Sequence, residues 1–144
     1  MLVAPIYYDF AGGSLEASTG LTAALHGKAK LGTTAGASNG VALDGSSGTY
    51  VSLPGLALDA WTAFTIEVCA DIPADGGGTW SRLFDFGPST TVYMFLTASN
   101  GGANTPAFGM TTGGWSTEDV VSHGDSTADQ SACWAATAGA SRSN

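Results

Sequence analysis

The alternation of apolar and polar positions is sharpest in AFTIEVCADI, Ala63 to Ile72. Phe64, Ile66, Val68, Ala70 and Ile72 recur at every second position, with Thr65, Glu67, Cys69 and Asp71 between them. A period of two puts one set on each face of a strand, so the segment is predicted to bury one face. PADGGG then breaks the pattern. WSRLFDFG predicts a second strand, GPSTT a turn, VYMFLTA its antiparallel partner, and PAFGMTT a further strand after the NGGANT turn. Upstream, Val3 to Phe10 predicts an edge-compatible strand with Pro5 near its start. The Gly/Ser/Thr/Ala-rich stretch over 11–40 is predicted to be irregular, with one strand around Ala29 to Leu31. VALDG and TYVSLP flank GSSG and predict a hairpin. Beyond Gly114 the alternation fades, and only Cys133 to Ala136 keeps a trace of it.

Composition agrees with many short strands and turns. The 144 residues amount to one domain's length, 44% of them hydrophobic and 11% charged, with 21 glycines and abundant alanine, serine and threonine. The net charge of −8 excludes a nucleic-acid partner. Lys28, Lys30, Arg82 and Arg142 are the only basic side chains besides two histidines, and they form no patch that could neutralise phosphates. No apolar run approaches the roughly 18 residues of a membrane span, so no membrane insertion is expected. MLVAPIYYDF lacks the basic and long apolar regions of a signal peptide. Cys69 and Cys133 fit no zinc spacing, and the sequence leaves open whether they pair or remain two separate thiols.

Four segments in this order resemble the concanavalin A-like, laminin-G-type jelly-roll family. VALDGSSGTYVSLP is similar to that family's early hairpin and AFTIEVCADI to its long inner strand. WSRLFDFG is similar to its Trp-x-Arg strand, and VYMFLTASNGG with PAFGMTTGG to the two strands that follow. The resemblance covers about residues 1–114 and departs from the family in two ways. Cys69 stands where the inner strand usually carries tryptophan, and residues 115–144 match none of the family's closing strands. The resemblance implies an all-β antiparallel sandwich over 1–114 and a small-residue acidic segment over 115–144. Such a sandwich is incomplete or is completed by neighbouring chains. It further implies an extracellular or virion-surface location, calcium as a compatible ion, and carbohydrate or a protein surface as partner.

The candidate chemistry is sparse. Asp85–Gly87 spells DFG, but the phosphate loop, strand lysine and HRD loop of a kinase are absent, so the tripeptide reads as strand. Glucanases on this type of sandwich carry closely spaced acids on one strand. Here Glu67 and Asp71 flank Cys69 where the central acid belongs. His26 and His123 stand alone, and a non-enzymatic chain is expected. Trp80, Arg82, Tyr93 and Trp115 are the candidate ligand-binding residues, with Trp61 a further aromatic, since pyranose rings offer apolar faces and hydroxyl edges. Strand alternation puts Arg82 on one face with Trp80, Phe84 and Phe86, stacked there and paired with a carboxylate such as Glu67. Asp9 and Asp44 lie where a hard cation could gather oxygens. Two functions are expected from these features: a non-catalytic recognition module, or a structural subunit of an extracellular or viral homo-oligomeric assembly.

Overall fold

In the computed structural model, residues 5–32, 39–55, 62–73, 78–101, 105–124 and 130–139 are described. The chain forms two compact units, Met1–Ala60 and Trp61–Asn144. Ten strands in antiparallel sheets make up the regular structure, with two short 3-10 turns and no α-helix among the described residues.

In the first unit β1 (Ala24–His26) pairs with β4 (Tyr50–Ser52), and β2 (Lys30–Leu31) pairs with β3 (Val41–Ala42). The two β-prone runs around GSSG therefore do not pair with each other, contrary to the expected hairpin. Their connection is held instead by Asp44, whose Oδ1 accepts from the Ser46 N–H at 2.9 Å and whose Oδ2 meets Lys28 Nζ at 3.2 Å. That leaves β4 to find β1, where His26 stacks on Tyr50 with ring centroids 4.3 Å apart and Nε2 lies 2.8 Å from Ser52 Oγ. The expected strand at the start is absent over residues 5–10; Val3 and Ala4 lie outside the described residues. Tyr7 there bonds instead to Ser18, an arrangement that forms no ladder.

The second unit is built from β5 (Ala63–Ile72), β6 (Arg82–Phe86), β7 (Tyr93–Thr97), β8 (Ala107–Thr111), β9 (Asp119–Ser122) and β10 (Gln130–Gly139). Strands β6 to β9 form a four-stranded meander in sequence order, and β5 pairs with β10 as a ten-residue ribbon. Within 115–144, the described residues supply β9 and β10 of this unit. Their weak pattern has a physical reason. The inward positions of β10 include Ala132, Trp134 and Ala136, and β9 is exposed at all four positions. Alanine has little strand propensity of its own, and β10 is held by its partner.

The ribbon shows the predicted alternation. Phe64, Ile66, Val68, Ala70 and Ile72 are covered, whereas Thr65, Glu67, Cys69 and Asp71 are exposed. On the exposed face, cross-strand pairs tie the ladder. Ser131 Oγ donates to Asp71 Oδ1 at 2.6 Å, Thr65 and Thr137 hydroxyls lie 2.9 Å apart, and Cys69 and Cys133, directly opposite, form a disulfide. The two hydrogen-bonded pairs each add a few tenths to about 1 kcal/mol.

In the meander, Phe84, Phe86, Met94, Leu96, Phe108 and Val121 share one face by register. Leu96, Phe108 and Val121 line a cleft of about 360 Å³ with Cys133 to Ala136 of the ribbon. Ribbon and meander are therefore the two layers of a sandwich that remains open along this cleft. The antiparallel all-β architecture expected from the sequence is present.

The disulfide closes a loop with a sequence separation of 64. In a Cys69→Ala/Cys133→Ala variant we expect a loss of about 2–4 kcal/mol in urea unfolding, since the chain-entropy limit for such a loop is about 4 kcal/mol.

Candidate functional site

The meander's other face carries the site. Strand β6 departs from simple alternation, because the register shifts between Arg82, opposite Thr97, and Phe84, opposite Leu96. Leu83 is the extra residue of a β-bulge, which turns Arg82 away from Phe84 and Phe86. The expected grouping of Arg82 with those two phenylalanines is therefore corrected. Arg82 shares its face with Asp85, Phe95 and Tyr93 instead.

Three of the four predicted residues converge there on Phe95, which sequence reasoning did not single out. Phe95 is 0% exposed. Arg82, Trp80 and Tyr93 all pack against it. The Arg82 guanidinium carbon lies 3.5 Å from the Phe95 ring centroid and 5.9 Å from that of Trp80. The Trp80 ring meets Phe95 edge-on at 6.3 Å, and the Tyr93 ring lies 6.0 Å away. A cation over an aromatic face gains from the ring quadrupole, by about 0.5–2 kcal/mol according to its desolvation. The only signal for Phe95 in the sequence was its place in the apolar run VYMFLTA, which does not tell one buried face from two.

Several backbone features hold Trp80 in place. Its φ is +63°, a left-handed conformation that a bulky residue adopts only under constraint. The Trp80 N–H donates to the Ser99 carbonyl at 2.8 Å. Thr97 Oγ1 lies 2.8 Å from the Ser81 carbonyl and 3.1 Å from that of Ser99, sharing one proton between them and binding the start of β6 to the end of β7. A Cβ at Gly101 would come within 2.8 Å of Trp80 Nε1, so the indole lies directly against the glycine backbone. Trp80 is nevertheless 44% exposed.

The polar groups around this aromatic cluster are oriented by one another. Arg82 Nε lies 3.5 Å from Asp85 Oδ2, so its carboxylate partner is a neighbour on its own strand and not Glu67. The Tyr93 hydroxyl donates to Glu118 Oε2 at 2.6 Å, and that hydrogen bond raises the phenol above its ordinary value near 10. DFG is resolved in this way: Asp85 orients Arg82, and Phe86 belongs to the opposite face.

The other candidates lie elsewhere. Trp115 begins a 3-10 turn and is 84% exposed, with no ring contact to the cluster among the described residues. Trp61 lies outside the described residues. Asp9 Oδ1 accepts from the Ala11 N–H at 3.0 Å. Hydrogen bonds from the Ser46 side chain and backbone, with Lys28 beside it, hold the Asp44 carboxyl well below the usual carboxylate range. Both aspartates thus organise turns. Glu67 lies near the sulfurs of Cys69 and Cys133, but these form the disulfide and offer no thiolate to a metal.

Comparison of the chain with family models, curated proteins and solved structures gives no match.

Two outcomes test this geometry. A Cβ at Gly109 would stand 2.6 Å from two carbons of the Phe95 ring, so Gly109→Ala is expected to destabilise by about 1–3 kcal/mol in thermal or urea unfolding. Because the folded pKa of Tyr93 is raised, the Tyr93–Glu118 contribution is complete below pH 10 and is lost as pH rises through the folded value. An absorbance titration at alkaline pH should show Tyr93 ionising late, and Glu118→Gln should bring that transition down.

Proposed function

We propose that the second unit is a non-catalytic recognition module whose ligand is a neutral pyranose sugar, bound over Trp80, Arg82 and Tyr93. The observation that carries this reading is the partly exposed Trp80, fixed by a positive φ, with the Arg82 guanidinium beside its ring and Asp85 and Glu118 holding Arg82 and Tyr93. A pyranose pairs an apolar ring face with hydroxyls at its rim. A flat aromatic with preorganised donors and acceptors at its edge complements both. Arg82 supplies planar donors, while Asp85 and Glu118 supply acceptors.

Charge narrows the ligand class. One cation and two carboxylates leave the cluster net negative, and the whole chain carries −8, which disfavours sialylated or uronic sugars. The resemblance to laminin-G-type domains supports the same reading. The disulfide supports an extracellular or virion-surface location, because such bonds persist where the surroundings are oxidising. Calcium has no part in this binding scheme. A second reading, a subunit of an extracellular or viral assembly, is favoured by the uncovered β9 edge, where Val121 is 72% exposed.

A glycan array with the intact chain should return neutral oligosaccharides. Trp80→Ala and Arg82→Ala should each weaken the hit at least about tenfold, the equivalent of about 1.4 kcal/mol. Trp115→Ala, outside the cluster, should leave it unchanged. An array without a neutral-sugar hit, or a hit indifferent to Trp80 and Arg82, would reject the reading.

A further inference from the structure

Strand β9 is the outer strand of the meander, and the direction of its free hydrogen-bonding groups can be read from its neighbour. The His123 N–H donates to the Pro106 carbonyl at 2.9 Å, in line with the register Ala107↔Ser122. In an antiparallel ladder successive residues point their N–H and C=O groups to alternate sides. His123, Val121 and Asp119 therefore face β8, while Val120 and Ser122 aim theirs outward. Among the described residues no backbone hydrogen bond meets Val120 or Ser122 on that side. The strand is exposed at every position, and no lysine, arginine or proline guards it. Natural sheet edges usually carry such protection.

The side chains of this edge complement themselves. Asp119, Val121 and His123 lie on one face, in the order acid, apolar, imidazole. Antiparallel pairing with a second copy about a two-fold axis through Val121 sets Val121 opposite Val121 of the partner subunit. The same axis sets Asp119 opposite His123 of the partner subunit, twice over. It also brings Val120 opposite Ser122 of the partner subunit, so the outward-pointing groups of both copies meet as hydrogen-bonded pairs. The axial pair falls at a non-hydrogen-bonded position, where side chains approach closest. A slip by one residue would join opposite faces of the two sheets. A shift of the axis to Val120 would set Asp119 against Val121 of the partner subunit. An axis at Ser122 would set Val121 against His123 of the partner subunit. Only the axis at Val121 satisfies backbone, apolar and polar groups together.

We infer that the β9 edge is the contact between two copies of this chain, paired antiparallel about Val121 into one continuous eight-stranded sheet. Imidazole can donate a hydrogen bond to a carboxylate whether or not it is charged, so the Asp119–His123 pairing serves both protonation states. An isologous contact of this kind closes on itself. The inference stands apart from the sugar-binding reading and narrows the assembly reading to a closed pair, with the glycan array remaining a separate test of the former.

Light scattering after size exclusion, over a range of protein concentration, should show a species of twice the 14.4 kDa chain mass. Val121→Lys, at a position that lines the cleft but is 72% exposed, should shift it to monomer while far-ultraviolet circular dichroism stays unchanged. Asp119→His should weaken the pair, and adding His123→Asp should restore it, which a general loss of stability would not do. Oxidation should cross-link Val121→Cys across the axis and leave Val120→Cys unlinked. A monomer at every concentration, an open-ended larger species, or cross-linking at Val120 in place of Val121 would each overturn the inference.

Discussion

Strand β7 must be covered on both faces, and the second unit is organised around that requirement. Met94 to Thr97 are buried at every position, in a strand with neighbours on either side. Met94 and Leu96 look toward the ribbon-covered face, where apolar side chains of two layers meet. Phe95 and Thr97 look the other way, toward Arg82 and Asp85. A ring of phenylalanine size withdraws well over 100 Å² from water, and leaving it bare would sacrifice roughly 2–3 kcal/mol. The chain meets this need with Arg82, Trp80 and Tyr93, so the candidate site is also a structural lid. Recognition chemistry and burial of a core residue share the same side chains.

This double role explains why the architecture was far more legible than the site. The strand from Ala63 to Ile72 was readable to the residue because only one of its faces is buried, which is the condition under which alternation survives in sequence. Strands β6 to β8 followed from their apolar runs and turn residues. Arg82 could be placed in the correct strand but not on the correct face, because a bulge at Leu83 leaves no mark in a five-residue run. Phe95 was hidden because a strand buried on both faces reads as a continuous apolar run.

The short strands failed for another reason. In the first unit, pairing was decided by contacts distant in sequence, such as His26 against Tyr50, while local composition suggested a hairpin. In residues 115–144, β10 consists largely of small side chains that carry little preference of their own. Its strand character comes from the ladder of β5 and from three cross-strand ties on the exposed face. Propensity is a local quantity and could not have found it.

The ladder between β5 and β10 also sets an order of events. Its two strands are joined across 64 positions at the disulfide, whereas β6 to β9 follow one another directly. Closing so long a loop delays the ribbon relative to the meander, since contacts distant along the chain form late. Until the ribbon closes, the face of Leu96 and Phe108 has no cover from β10. Intermediates of that kind associate readily. The acid surplus then matters most before the fold is complete, when like charge keeps unfinished chains apart.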